Sequence, residues 1–270
     1  RRDAKSGLAR INRFEQIMIP SQPYEAASLV NMKSWHGVHT NDHVLTLKHG
    51  PKAFELYNEA GSIPHTLNGL NALIWACVTG GDEHAARTWI AEHKRMSTRR
   101  NMEWARWAPD AAEAILAMRH SDEPILKERL HLIFCEERHR LDQYGHHLAL
   151  CRDWASTLCG EAISRGVHTE RVCRFIAEFK LDAPSPQFEA WPWTLKILTL
   201  GRFSVIREGI PISFGSKTPK KLLALLKTII ALGSRDVPEQ KLADALWSEE
   251  DGDTAHQSLT TALHRLRKLL

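Results

Sequence analysis

The 270 residues predict a mainly α chain in two parts: an array of short helical hairpins, then a small α+β domain. Three observations point there. From residue 1 to about 182, apolar residues recur at helical spacing between brief Gly/Pro turns. A stretch at 183–194 with three prolines and three aromatics then breaks the pattern. Beyond it the period becomes alternating, and afterwards helical again.

In the first part, Glu25–His36 carries Ala26, Leu29, Val30 and Trp35 near helical spacing. Pro51 is read as opening a helix with Phe54, Leu56 and Tyr57, closed at Gly61. Pro64 opens the next, with Leu67, Leu70, Leu73, Ile74 and Cys77, closed at Gly80-Gly81. Asp82 is suited to cap a helix bearing Ala85, Ala86, Trp89 and Ile90. Helical patterns follow at Trp104–Arg119, Glu123–Arg138, Leu141–Cys151, Asp153–Arg165 and Thr169–Lys180, with Gly160 inside the fourth. The spacing reads as irregular, without a full repeat consensus. Hairpins of this kind cannot bury their faces alone, so they stack and leave a surface for a ligand or protein. Trp35, Trp75, Trp89, Trp104, Trp107 and Trp154 are placed in the grooves between helices.

The linker 183–194 disfavours helix through its prolines, and Phe188, Trp191 and Trp193 argue that it packs rather than swings free. The second part, 195–270, opens with alternating Leu195–Leu200, then Phe203–Arg207 and, across a Glu208-Gly209 hairpin turn, Ile210–Phe214. Pro211 puts that third strand at an edge. Three helices follow: Pro219–Leu232 closed by Gly233, Pro238–Trp247, and Thr254 to at least Leu270, capped by Asp253.

Composition narrows the function classes. Hydrophobic residues at 43% and charged residues at 25% are globular values, which excludes a disordered or collagenous chain. The most apolar segment, Leu222–Leu232, is short and broken by Lys227, and no signal-peptide core is present, so no membrane association is expected. Cys77, Cys135, Cys151, Cys159 and Cys173 are odd in number and scattered, as in reduced thiols of a cytoplasmic protein. The chain starts without Met and stops inside a helical pattern, which reads as a fragment of a longer protein. Its net charge of +4 is uneven. Residues 1–194 hold 24 basic and 24 acidic side chains, whereas 195–270 hold 12 and 8. A neutral body with a basic end suits a regulator that carries a nucleic-acid module.

Specific residues sharpen this. The hairpin pattern resembles tetratricopeptide (TPR-like) repeats. Leu198-Thr-Leu-Gly-Arg-Phe203 resembles the opening strand of the bacterial transcriptional activator family of the antibiotic-regulator type. Lys217–Leu226 and Lys241–Trp247 are similar to its first two helices. Ala262–Leu270 resembles the recognition helix shared with OmpR/PhoB-type response regulators. Cys159–Val167 through Trp191-Pro-Trp193 resembles the tail of MalT-like regulators, where helical repeats precede a DNA-binding domain. The resemblance implies a winged helix-turn-helix over 195–270, truncated before the hairpin wing. It also implies duplex DNA as partner, activation of transcription, contact with RNA polymerase through the acidic loop 248–253, and a homodimer on tandem sites. A bacterial, cytoplasmic protein follows.

The last helix carries the chemistry. Leu259, Leu263, Leu266 and Leu270 form one apolar stripe for the core. Gln257, Thr261, His264 and Lys268 lie opposite, with Arg265 on one shoulder and Thr260 and Arg267 on the other. Gln pairs with adenine, Arg with guanine, and Thr meets the thymine methyl, while Lys and protonated His suit phosphates. By the resemblance, Arg265 matches a base-reading position, and Arg267 and Trp247 match positions near the DNA backbone.

Other constellations are set aside. Gly215-Ser-Lys-Thr218 lacks the spacing of a phosphate loop. His131, Cys135 and His139 share a helical face, but Glu136, Glu137, Arg138 and Arg140 around them mark an ordinary exposed helix, so no metal site is assigned. No nucleophile elbow, metalloprotease helix or dinucleotide loop is present, so neither an enzyme nor a cofactor is expected. The alternative to a DNA-binding regulator is a helical-repeat scaffold whose C-terminal domain does not bind DNA.

Overall fold

The computed structural model describes residues 4–18, 22–135, 145, 147–214, 220–234 and 236–270, without the side chains of Ala4, Glu103 and Trp104. The chain is mainly helical with one small sheet, and divides into two compact units, residues 1–191 and 192–270. His139, the loop Gly215–Thr218, residues 136–138 and most of the start of the Leu141–Cys151 helix lie outside the described residues.

The first unit is built from hairpins: α1 Ala4–Ile17, α2 Pro23–Thr40, α3 His43–Glu59, α4 Ile63–Gly80, α5 Glu83–Arg99, a 3-10 turn Glu103–Arg106 leading into α6 Trp107–Arg119, then α7 Glu123–Phe134, α8 Arg152–Ser164 and α9 Thr169–Phe179. Neighbours in sequence pack together, and α2, α4, α6 and α8 also touch in succession, so the hairpins stack in a row.

A regular repeat emerges where the sequence looked irregular. Left-handed residues stand at Asn41, Gly61, Gly81, Asn101 and Ser121, twenty residues apart each time. Each turn carries the same two hydrogen bonds. In the Asp82 turn, for example, Gly81 N donates to Val78 O at 3.2 Å and Asp82 N to Cys77 O at 2.9 Å. On alternate turns an aspartate then caps the next helix. Asp42, Asp82 and Asp122 accept from the backbone N of Leu45, Ala85 and Ile125 at 2.9, 3.0 and 3.2 Å. The structural unit is therefore a forty-residue hairpin, longer than the roughly 34 residues of a tetratricopeptide repeat.

Burial keeps the same register. Thr46, Ala86 and Leu126 are buried at equivalent places, as are Gly50, Ile90 and Leu130, and then Ala53, His93 and Ile133. Residue identities vary because each site conserves fit rather than chemistry. Gly50 is required where α3 crosses α4, since a Cβ there would stand 2.5 Å from Leu73 Cδ2. Pro51 does not open a helix. It lies inside α3, which the Asp42 cap has already started, with its ring on the exposed side.

The residue after each capping aspartate also meets the end of the next first helix. His43 lies against Gly80, Glu83 bonds to His120 at 2.7 Å, and Glu123 accepts from Arg165 Nε at 2.9 Å and from its Nη2 at 2.9 Å. Acid at one helix start and base at another's end suit both dipoles. These guanidinium and imidazole partners hold the Glu83 and Glu123 carboxyls below the usual range, led by the hydrogen bonds from His120 and Arg165.

Residues 183–191 belong to this unit. Gly160, which weakens α8 as a helix former, opens the surface on which this segment lies. A Cβ there would be 3.0 Å from Pro184 Cγ. Trp191 is buried and edge-on to Phe188 at 6.1 Å. The division falls after Trp191, within the stretch 183–194 expected as the linker.

The second unit starts with an antiparallel meander: β1 Leu195–Leu198, β2 Ser204–Arg207 and β3 Ile210–Pro211, in that order. Leu195 faces Arg207 and Leu198 faces Ser204. Glu208 and Gly209 both have positive φ, as the tight hairpin requires. β3 is shorter than expected because Pro211 offers no N–H to the ladder, and Ile212 N adds one last bond to Val205 O at 2.7 Å. Then come α10 Lys220–Ala231, α11 Glu239–Leu246 and α12 Gly252–Leu269. Val205, Leu222, Leu225, Leu226, Leu242, Ala243, Trp247, Ala255, Leu259 and Leu266 form the core.

Two outcomes test this architecture. Asp82→Ala removes a turn's cap, and urea unfolding should lose about 1 kcal/mol, with faster hydrogen exchange at the start of α5, while Asp82→Ser restores most of it. His93 is fully buried, and desolvation, aided by the charge of Arg106, lowers its pKa to about 3. The folded chain thus keeps His93 neutral while the unfolded chain protonates it below about pH 6.5. Stability is complete above that pH and is lost as pH falls toward 3, by about 2 kcal/mol between pH 7 and 5. His93→Ile, the residue type at the equivalent position 133, should flatten that dependence in urea titrations at the two pH values.

Candidate nucleic-acid interface

The start of α12 is set by a cap two residues earlier than its apolar pattern suggested. Asp251, not Asp253, accepts from Thr254 N at 3.0 Å and from Thr254 Oγ1 at 2.8 Å. Those bonds, the backbone one first, hold the Asp251 carboxyl below the ordinary aspartate range. Asp253 instead lies in the first turn and is exposed. The aspartate followed three residues later by a donating hydroxyl was the available signal.

From this cap the helix divides cleanly. Leu259 and Leu266 are buried, and Leu263 and Leu270 are half-buried against the same core. Gln257, Thr260, Thr261, His264, Arg265, Arg267 and Lys268 are all exposed. None of Arg265, Arg267 and Lys268 forms an ion pair with another described residue.

Three of these residues share a groove of about 400 Å³ between α10 and α12. Gln257, Thr261 and Arg265 line it from α12, one turn apart, together with Thr254, Ser258 and Ala262. Lys221 and Leu222 line it from α10, and Trp247 from the end of α11. The second α12 row is Thr254, Ser258 and Ala262, small residues at helical spacing. Small residues at that spacing allow close approach of a neighbouring helix. Thr260, His264, Arg267 and Lys268 lie outside this groove. The Thr260 hydroxyl donates back to His256 O at 2.9 Å.

Trp247 follows α11 and lines the groove beside Gln257, Thr261 and Arg265. It is 5% exposed and belongs to the core, because an indole at the end of a two-turn helix covers apolar neighbours that this short helix cannot. Its ring face receives the Lys221 ammonium at 5.1 Å.

The acidic loop is partly consumed by structure. Glu250 accepts from Ser258 Oγ at 2.9 Å and pairs with Lys221 at 3.7 Å. Asp251 is spent on the cap. Glu249 and Asp253 remain exposed. The groove is thus lined by hydroxyl, amide, ammonium and guanidinium groups beside the apolar Leu222, Trp247 and Ala262, and Glu250, which is bonded to Ser258, pairs with Lys221.

Elsewhere, no group of three or more His, Cys, Asp or Glu that could hold a metal occurs among the described residues, and all five cysteines are free thiols. No helix among the described residues is long and apolar enough to cross a membrane. Comparison of the chain with protein-family models, curated proteins and solved structures finds no match.

The cap assignment is open to direct test. Asp251→Ala should lower the melting temperature and speed hydrogen exchange over residues 254–257, whereas Asp253→Ala should leave both nearly unchanged. Circular dichroism melts and exchange mass spectrometry of the two variants separate them.

Proposed function

We propose that this protein is a cytoplasmic, DNA-binding transcriptional regulator, an activator, that reads duplex DNA with α12. The observation that carries the reading is the exposed face of α12. It presents Gln257, Thr261 and Arg265 one turn apart, with His264, Arg267 and Lys268 beside them and no ion pair to another described residue drawing on the three strong cations. A helix about 10–12 Å across fits a major groove about 12 Å wide. Arg265 is suited to guanine, Gln257 to adenine, and Thr260 and Thr261 to a thymine methyl or a phosphate. Arg267 and Lys268, in the last turn, would fix register on phosphates.

The order of sheet, then α10, α11 and α12, supports a winged helix-turn-helix reading of the second unit, in line with the resemblance of its sequence to bacterial activators. On that reading Trp247 acts from the core, by fixing the angle between α11 and α12. The exposed Glu249 and Asp253 are the groups of loop 248–253 left to meet RNA polymerase. The stacked hairpins of the first unit would receive a ligand or protein signal. One helix reads few base pairs, so a homodimer on tandem sites fits the reading.

The experiment is binding of the full-length protein to its selected duplex, with single base-pair changes across the site. Arg265→Ala should cost roughly 1–3 kcal/mol and relax preference at one base pair, whereas Lys268→Ala should weaken all sequences equally and lower the salt slope by about one. Equal, sequence-independent losses for both variants would remove Arg265 from base reading.

A further inference from the structure

In the groove between α10 and α12, two donors are already engaged by an acid of this chain. We propose that the Glu250 carboxylate holds the place of a phosphodiester of the DNA backbone, and that Lys221 and Ser258 take that phosphate when duplex DNA displaces Glu250. Glu250 thereby restrains binding until a phosphate replaces it. The inference rests on the DNA reading of α12 and adds α10 to the binding surface.

The backbone places Glu250 from both sides. Its N–H donates to Trp247 O at 3.0 Å in the turn after α11, and the next residue, Asp251, caps α12. The half-buried Glu250 side chain then bridges the two helices that border the groove. Its Oε2 accepts from Ser258 Oγ on α12 at 2.9 Å, and its Oε1 lies 3.7 Å from Lys221 Nζ on α10. Lys221 and Ser258 both line the groove. Two oxygens sharing one negative charge, each facing a donor from a different helix, are also what a phosphodiester presents. Lysine and serine are among the side chains that take phosphate oxygens.

The two contacts are unequal, which makes the carboxylate exchangeable. The Ser258 contact has hydrogen-bond length, whereas the Lys221 contact is longer than the roughly 2.7–2.9 Å of a charge-assisted hydrogen bond. Lys221 is thus paired by charge while its position is held by the face of the Trp247 ring. An exposed pair of this kind contributes little in water, so replacing one anion by another costs little. Duplex DNA supplies the compensation, because every phosphate that is neutralised releases a counterion. Arg265 lines the same groove two turns beyond Ser258 and forms no ion pair with another described residue, so a backbone that seats on Lys221 and Ser258 runs beside the base-reading position. The Thr254 hydroxyl already donates to Asp251 and is left out of the subsite.

The test is binding of the full-length protein to its selected duplex and to a scrambled duplex over a range of salt, for Glu250→Gln, Lys221→Gln and the double variant. Glu250→Gln removes the charge and keeps an oxygen for Ser258, so its circular dichroism melt should match the wild type. It should bind both duplexes about two- to fivefold more tightly at low salt, the range an exposed ion pair allows. Lys221→Gln should weaken both duplexes alike and lower the salt slope by about one. In the Lys221→Gln background, Glu250→Gln should bring no gain. A gain that persists there would make Glu250 a general repelling charge, and no gain in Glu250→Gln alone would remove the competition; either result overturns the proposal. A wild type that enriches no motif overturns the DNA reading and this proposal together. An enriched motif that Arg265→Ala relaxes at one base pair, with Glu250→Gln without effect, overturns this proposal alone.

Discussion

The turn between helices is the constraint on which the first unit depends. A chain that must reverse every twenty residues, and bury a stripe on each helix, has to place one left-handed residue at the same phase each time. Asn41, Gly61, Gly81, Asn101 and Ser121 do so, and each turn closes with the same pair of backbone bonds. With the phase fixed, the buried positions of successive hairpins fall into register. Thr46, Ala86 and Leu126 become equivalent although they share no chemistry. The contacts of His43 with Gly80, Glu83 with His120, and Glu123 with Arg165 then recur at the same junction. Each is an exposed contact worth little alone. Their repetition follows from the turns rather than causing them.

The second unit solves a different problem with the same elements. Three short helices and a small sheet must bury one core, so α12 gives up only one side. Leu259 and Leu266 face inward with Leu263 half-buried beside them, and Thr260, Thr261, His264 and Arg265 are left to solvent. Trp247 links stability to this exposed side. Its indole lies in the core, its face carries Lys221, and Lys221 in turn holds Glu250. The acidic loop beside α12 is thereby tied back, while Arg265, Arg267 and Lys268 form no ion pair with another described residue. A basic helix face beside a restrained acidic loop is the electrostatic arrangement a polyanion requires.

Much of this was legible in residues. Alternation at Leu195–Leu198, the Glu208-Gly209 turn, and the Leu259–Leu270 stripe each has a period that only one element satisfies. Asp82 as a cap was legible for the same reason, since Gly81 before it and an apolar run after it leave one helix start. Pro51 misled because proline punctuates most helices, and nothing local showed that Asp42 had already begun one. Asp251 was missed in favour of Asp253 because both precede Thr254, and only the backbone geometry decides which carboxylate reaches Thr254 N. The forty-residue repeat was hidden because it is written in turn conformation and side-chain volume, not in identity. Asn, Gly and Ser all supply the left-handed residue. Nor could spacing reveal that Trp247 is a core residue, or that His131 meets His168 across two helices.

The most direct measurement is selection by the full-length protein from a pool of random duplex DNA, followed by titration of the enriched sequence against salt. One motif should be enriched, with an affinity that falls steeply with salt, as several phosphate contacts demand. A pool that stays random, with weak binding abolished by moderate salt for every sequence alike, would contradict it and leave the helical hairpins as the functional part of a protein-binding scaffold.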